Sequence, residues 1–318
     1  MRDVITFGSI TIDVFLGTEA SESNGKLQYP VGTKINVSGV DFQTGGCGMN
    51  VAIGLKRLGC STALLGKYGD DLNGKMVKQI IKDERIDFIG PSARGKTGYS
   101  VVLDSTRHNR TILHYRGASN ELRPGEVDRS KLWSKWLYMA SSKSITFETQ
   151  KMTAALAQKR KIRIAYNPGI DECRKGRKHI GSMVKASKIM ILNMEEAGTL
   201  SRKNKPVDML KSIRRMGPEI VCITNGNKDI HAYEDGVAYT LSPHKFKITE
   251  ATGAGDAFSA GFLAGMIRNK GIEFSLQLGL ANSESVLRYF GAINKLLNWN
   301  EAVNIINKNP GRMRKAVV

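Results

Sequence analysis

The sequence lacks any run approaching the roughly 18 consecutive apolar residues that a membrane-spanning helix needs. A helical membrane protein is therefore excluded. The first residues, Met1-Arg2-Asp3-Val4-Ile5-Thr6-Phe7, enter a strand-like segment without the long apolar stretch of a secretory signal, so a cytoplasmic location is expected. Cysteine is scarce: Cys47, Cys60, Cys173 and Cys222 are scattered, with no C-x-x-C pair and no histidine at zinc-ligand spacing. Neither a disulfide framework nor a zinc site is expected. Aromatic residues make up 7% of the 318 positions while glycine occurs 33 times, which suits many tight strand-to-helix turns better than an all-β sandwich. Acidic residues are the other shortage. Against 48 Lys and Arg stand 29 Asp and Glu, a net charge of +19, so a polyanionic partner has to be weighed.

Strand-like apolar runs alternate with helix-like segments through most of the chain, the pattern of a parallel sheet between helices. Strands are predicted at 4–10, 62–65, 162–166, 188–192 and 220–224, and helices at 50–58, 73–82, 151–160 and from Glu195 onward. Residues 230–241 read as a hairpin turning at Asp235-Gly236. Two stretches break the rhythm. Residues 12–44 and 97–116 carry β-branched or alternating runs with no helix between them, and predict a small antiparallel sheet set apart from the main core within one domain spanning 1–318.

Gly90-Pro-Ser-Ala-Arg-Gly95-Lys96-Thr97 satisfies the phosphate-loop pattern G-x-x-x-x-G-K-[ST]. That mechanism needs a helix starting at Lys-Thr, whose amides face the phosphates. Here Gly98-Tyr-Ser-Val-Val-Leu103 follows, which is strand-forming. The motif is read as a surface turn, with a P-loop NTPase kept only as a competing hypothesis.

The stretch Thr252-Gly253-Ala254-Gly255-Asp256-Ala257-Phe258 opens with small residues and runs into a helix on which Ala257, Ala260, Gly261, Ala264 and Gly265 share one face. Amides of Gly253, Ala254 and Gly255 at that helix start form an anion site, combining free donors with the positive end of the helix dipole. Asp256 beside them could take a proton from an attacking hydroxyl, or could simply cap the helix.

This segment resembles the C-terminal motif of the ribokinase-like (PfkB) carbohydrate kinases, and Gly45-Gly46-Cys47-Gly48-Met49-Asn50-Val51-Ala52 is similar to their other motif, in family order about 200 residues earlier. The resemblance covers essentially the whole chain. It implies a three-layer α/β sandwich with a mainly parallel central sheet and a small antiparallel β lid from residues 12–44 and 97–116. It also implies transfer of the γ-phosphoryl group of ATP, with Mg²⁺, to a hydroxyl of a sugar or sugar-like molecule, or in the alternative of a nucleoside. Carried over to this sequence, Asp256 corresponds to the catalytic base and Gly253, Ala254 and Gly255 to the anion hole. Asp13, Gly45, Gly46 and Asn50 correspond to the substrate-binding residues, and Asn193, Thr224 and Gly226 to the ATP-binding ones. Glu196 corresponds to the acid that organises Mg²⁺ through water. A homodimer through the lid is consistent with the resemblance.

Taken singly, Asp13 reads also as a strand-end turn residue, Asn50 as a helix cap, and Asn193 with Glu196 as a capping box. Tyr99, Arg110 and Arg116 fall in the lid strands, as substrate contacts or as solvated or dimer-facing side chains. The sequence departs from the family at Glu250-Ala251, where relatives carry Asp-Thr, which speaks against activation by a monovalent cation. It departs again at Asp229, where a glycine is usual, and the register around Asn282 leaves the adenine contacts open. His114-Tyr115-Arg116-Gly-Ala-Ser is similar to the lid of 2-keto-3-deoxygluconate kinases, in which aromatic and Arg residues bind the acid, whereas Asn167-Pro168-Gly169 is nearer to fructokinases and ribokinases. A sugar is favoured over a nucleoside on that analogy. The basic clusters Lys159–Arg163, Arg174–Lys178 and Lys308–Lys315 lack interleaved aromatics. They read as solvated surface, so no nucleic acid is expected, and a basic nucleic-acid-binding protein with a degenerate kinase fold remains the third hypothesis.

Overall fold

A computed structural model describes residues 1–105 and 110–318, so positions 106–109 of the expected lid lie outside the described residues. In chain order the strands are β1 (Arg2–Phe7), β2 (Thr11–Ser23), β3 (Lys26–Gln28), β4 (Gly39–Gly45), β5 (Thr62–Leu65), β6 (Tyr68–Gly69), β7 (Asp87–Phe88), β8 (Ser92–Ala93), β9 (Gly98–Ser105), β10 (Arg110–Tyr115), β11 (Ser134–Met139), β12 (Arg163–Tyr166), β13 (Ile189–Asn193), β14 (Ile220–Thr224), β15 (Ile230–Glu234), β16 (Val237–Ser242) and β17 (Arg312–Val317). The α-helices are α1 (Cys47–Arg57), α2 (Leu72–Asp83), α3 (Ser144–Lys159), α4 (Ile170–Lys175), α5 (Arg177–Ala186), α6 (Met194–Ser201), α7 (Pro206–Arg214), α8 (Ala254–Ile267), α9 (Gly271–Val286) and α10 (Trp299–Lys308). None is long and apolar enough to cross a membrane.

Ten strands form the central sheet in the order β17-β16-β15-β14-β13-β12-β11-β1-β5-β7. Its middle is parallel, from β14 through β13, β12, β11 and β1 to β5 and β7, and the hairpin β15-β16 with β17 adds an antiparallel edge. Strands such as β14 (Ile-Val-Cys-Ile-Thr) are apolar nearly throughout because helices cover both faces, leaving no wet side to alternate toward. Asp235 and Gly236 both take positive φ, +46° and +83°, the geometry that a two-residue hairpin turn requires.

The small-residue face of α8 lies against α9. A side chain at Gly261 would strike the backbone of Leu278 and Gly279, and one at Gly265 would strike Ser275, so glycine sets the close approach of the two helices. Gly54 of α1 meets the Ala260 methyl in the same way.

A second sheet of five strands contains β10-β9-β2-β3, with β4 on the other flank of β2. The pairs β10–β9, β2–β3 and β2–β4 are antiparallel, but β2 and β9 run parallel. At one level across the sheet stand His114, Ser100, Asp13 and Gln43, each opposite the next. One residue along, on the other face, Leu113, Val101, Val14 and Phe42 are aligned. The sheet therefore has a polar face and an apolar one.

The phosphate-loop reading of Gly90–Thr97 fails. Lys96 and Thr97 lead directly into β9, and Thr97 is buried, its hydroxyl donating to Asp71 Oδ1 at 2.6 Å and accepting from the Gly69 amide at 3.0 Å. Asp71 is in turn the N-cap of α2. The motif ties a strand to a helix start and presents no amides to a phosphate.

Candidate active site

Three segments meet where the parallel strands end, the place where open α/β sheets leave room for ligands. The first is the turn into α1. Its N-cap is Gly46 at φ +89°, where a side chain would strike the backbone of Ser9. Gly45 has no room either, because a Cβ there would fall within the Asp13 carboxylate. α1 starts at Cys47, so Asn50 lies inside the first turn and does not cap it. The Asn50 side chain instead crosses to the second segment, its Nδ2 donating to Asp256 Oδ2 at 2.8 Å, while its own Oδ1 is buried without a partner among the described residues.

That second segment is the loop into α8. Gly253 is the N-cap, at φ +78° and wedged against Ala292, which leaves Asp256 at the third helical position with no capping bond of its own. The amides of Gly253 and Gly255 have no acceptor among the described residues, and that of Ala254 makes only a long 3.4 Å bond to Ala251 O. Burial raises the Asp256 carboxyl above the ordinary carboxylate range, and the nearby Asp13 charge adds to this, while hydrogen bonds from Asn50 and Cys47 oppose it. The Cys47 thiol is pushed well up, first by the Asp256 charge and then by burial, and so stays protonated.

Asp13 stands mid-strand in β2, where no turn forms, and is buried. Thr11 Oγ1 donates to its Oδ1 at 3.0 Å, and burial raises its pKa against the opposing pull of Ser100, Thr11 and the His114 ring. His114 Nδ1 bonds Ser100 Oγ at 2.9 Å, which completes the polar row. Beside it Gln43 is buried with an unpartnered Oε1. Arg116 is half-buried without an ion pair among the described residues, close enough to affect both the Cys47 thiol and the His114 ring. The other two lid candidates point elsewhere. Tyr99 lies with Phe42 and Tyr115 in a shallow outer pocket, and Arg110 forms an ion pair with Glu250.

The third segment comprises the ends of β13 and β14, where Asn193 and Thr224 are register partners. Asn193, Thr224 and Gly226 line one cavity of about 660 Å³ together with Ala254 and Gly255. Asn193 is also the N-cap of α6, and Glu196 closes a capping box: Asn193 Oδ1 accepts from the Glu196 amide at 2.8 Å and Glu196 Oε2 accepts from the Asn193 amide at 2.9 Å. The box and the cavity wall are one structure. Glu196 is buried and its carboxyl is raised by that burial, with Glu195 contributing.

Much of the cavity escaped the sequence reading. Its far end is built by Phe246, Ile248, Leu287 and a His244–Glu284 pair, in which Glu284 accepts from both the His244 amide and Nδ1 at 2.8 Å. The alternation in Pro243-His-Lys-Phe-Lys-Ile248 is the only sequence signal for it. Asn282, the open question in the sequence, is fully buried and structural, donating to Ala257 O at 2.7 Å and accepting from the Leu297 amide at 3.0 Å. Its neighbours Ser283 and Glu284 face the cavity instead.

A family model for pfkB family carbohydrate kinases matches residues 1–299. The chain belongs to that family. It is a phosphotransferase with an alcohol group as acceptor, and its fold is ribokinase-like. Among its relatives, a 5-dehydro-2-deoxygluconokinase of Halalkalibacterium halodurans is 27% identical, covering 83% of this chain and 86% of the relative. A nucleoside kinase of Methanocaldococcus jannaschii superimposes with a TM-score of 0.79 at 20% identity, over 97% of this chain and 99% of that one. A putative ribokinase II from E. coli in complex with ATP and Mg²⁺ gives a TM-score of 0.82 at 18% identity, over 97% and 100% respectively.

Proposed function

We propose that this PfkB kinase transfers the γ-phosphoryl group of ATP to a hydroxyl of a sugar or sugar-like substrate, with Asp256 as the base. The observation that carries this is one helix start that borders the nucleotide-side cavity and, one residue on, presents a buried carboxylate to Asn50. Ala254 and Gly255 at the start of α8 border the cavity lined by Asn193, Thr224 and Gly226, and one residue later the Asp256 carboxylate is bonded to Asn50 and lies close enough to Asp13 to feel its charge. In this reading the substrate hydroxyl gives its proton to Asp256, its oxygen attacks the γ-phosphorus, the bond to the β–γ bridging oxygen breaks and ADP leaves. The amides hold the phosphoryl oxygens on which negative charge is concentrated.

Glu196 fits Mg²⁺ bound with the nucleotide. Its Oε2 is committed to the Asn193 amide, its Oε1 has no partner among the described residues, and the carboxylate is buried. The described residues contain no cluster of three metal-ligating side chains, which suits an ion held mainly by phosphates and water. When bound, the ion would supply charge neutralisation between the phosphates.

A hydroxyl-rich substrate is favoured by the acceptors set close to Asp13 and Asp256: the Asp13 carboxylate and the buried Asn50 Oδ1 and Gln43 Oε1, which have no partner among the described residues. Within the sugars, Arg116 favours one bearing an acid group, because this partly buried guanidinium, whose charge acts on Asp171 without an ion pair among the described residues, can pair bidentately with a substrate carboxylate. A nucleoside is the second reading. The second sheet acts as the lid of a single kinase domain, and its exposed apolar residues Val40, Phe42, Leu113 and Tyr115 form the face through which two copies pair in the cytoplasm.

The test is an ADP-release screen over ketoses, aldoses, sugar acids and nucleosides, run with the parent enzyme and with Asp256→Asn. Turnover of a sugar or sugar acid that falls at least ~100-fold in the variant is expected. Turnover indifferent to Asp256 would overturn the reading.

A further inference from the structure

The basic run Arg174-Lys-Gly-Arg-Lys178, read from sequence as solvated surface, forms one wall of a cleft of about 620 Å³ between the α4–α5 junction and the end of α6. Arg174, Lys175, Arg177, Lys178 and Arg202 line it, above a floor that includes Cys173, Leu200 and Thr199. Two of the five cations have carboxylate partners, Arg174 with Glu195 at 3.0 Å and Lys175 with Glu172 at 2.9 Å. The other three have none among the described residues, Arg177 reaching only the Ser212 hydroxyl at 3.3 Å.

This is an expensive arrangement for a surface that does nothing. Like charges gathered around one concavity repel, and they do so more strongly than on an open convex surface. Local rules are broken as well. Arg177 and Lys178 occupy the first turn of α5, at the positive end of its dipole, with no acidic residue in that turn and no capping side chain. Arg202 ends α6 in the left-handed region, at φ +57°, where a non-glycine residue is strained. Of these, the gathered positive charge is what an anion bound in the cleft would offset.

We infer that this cleft is a second anion-binding site, separate from the nucleotide cavity, and that it takes a small polyphosphate anion carrying about three negative charges. The three uncompensated cations set the charge, and the volume admits a molecule the size of a triphosphate chain with an attached group. Single-stranded nucleic acid is disfavoured because no aromatic side chain lines the cleft for bases to stack on.

Inorganic tripolyphosphate is the probe, titrated calorimetrically into the full chain at about physiological salt with the nucleotide cavity saturated by a non-hydrolysable ATP analogue. One equivalent of tripolyphosphate is expected to bind. The double variant Arg177→Gln/Lys178→Gln should weaken it at least 10-fold and flatten its salt dependence, while Lys159→Gln/Lys308→Gln, with the same change in net charge, should leave it unaltered. Circular dichroism and turnover should match the parent in both variants. No saturable binding, or equal weakening by both variants, would overturn the site. So would an oligonucleotide that binds through Arg177 and Lys178 and is not displaced by tripolyphosphate.

Discussion

Asn50 Nδ2 donates to Asp256 Oδ2 at 2.8 Å across 206 residues of sequence, joining the first turn of α1 to that of α8. The bond favours the charged carboxylate and partly offsets the upward push of burial. Asn50→Ala should therefore raise the Asp256 pKa further. A base works only when deprotonated, so the acid limb of kcat/KM in the parent should lie above the ordinary carboxylate range, and in the variant it should move to still higher pH. A pH–rate series on both proteins checks this. An unmoved limb would mean that Asp256 is not the titrating base.

The same burial makes Asp256 a liability to folding. A carboxylate whose folded pKa is raised binds its proton more readily in the native state, so the native state gains stability as pH falls toward the unfolded value and is weaker at neutral pH. Asp256→Asn should remove that penalty and the repulsion from Asp13 while abolishing turnover. A thermal midpoint at pH 7.5 equal to the parent's or higher by ~1–3 °C is expected, with the difference shrinking as pH falls through the raised folded pKa toward the unfolded value and the parent's carboxylate becomes protonated.

Lys96 and Thr97 separate the two phosphate-binding hypotheses. Lys96→Ala should leave kcat within about twofold of the parent, since Lys96 leads into a strand and is not among the residues lining the nucleotide-side cavity. Thr97→Val should cost ~1–2 kcal/mol in urea denaturation by leaving the Asp71 cap and the Gly69 amide short of a partner. Loss of turnover in Lys96→Ala with the fold intact would reinstate the phosphate loop.

Glu250 bears on monovalent cations. Its Oε1 accepts from the Ala251 amide, the Thr252 amide and the Thr252 hydroxyl, and the Arg110 guanidinium pairs with the same carboxylate. All of these donors, Arg110 included, converge on Oε1, and the guanidinium sets a positive charge against the carboxylate that disfavours a second cation beside it, so initial rates in potassium, sodium and choline chloride at equal ionic strength should agree within about twofold. Arg110→Ala should lower the rate and make it depend on the cation present. Strong potassium activation of the parent enzyme would refute this.

How far the sequence could be read depended on whether a feature announces itself locally. The Asp235-Gly236 hairpin did, because its turn needs positive φ at both positions and names its residues. The helix carrying Asp256 did as well, through small residues that repeat at helical spacing. The start of α1 did not: Gly46-Cys47-Gly48 carries no apolar periodicity, so the helix seemed to begin at Asn50 and that residue resembled a cap. Strand direction in the second sheet was equally hidden, since a period of two is the same whether β2 meets β9 parallel or antiparallel. The His244–Glu284 pair joins an irregular segment to one face of α9 across 40 positions, and neither half is distinctive alone.

The glycine contacts between α8 and α9 also decide which part of this enzyme can move. With Gly261 and Gly265 pressed onto the neighbouring helix and Gly253 against Ala292, there is no slack for α8 to slide or roll, and Asp256 is held like an anvil. In the proposed function a closing stroke comes from the five-stranded sheet, whose row of Gln43, Asp13, Ser100 and His114 would carry the substrate toward that carboxylate. Selection among substrates then acts on the moving part and the chemistry on the stationary one. The acceptor specificity of this scaffold can thus drift by changes in β4, β9 and β10 without disturbing the machinery of transfer.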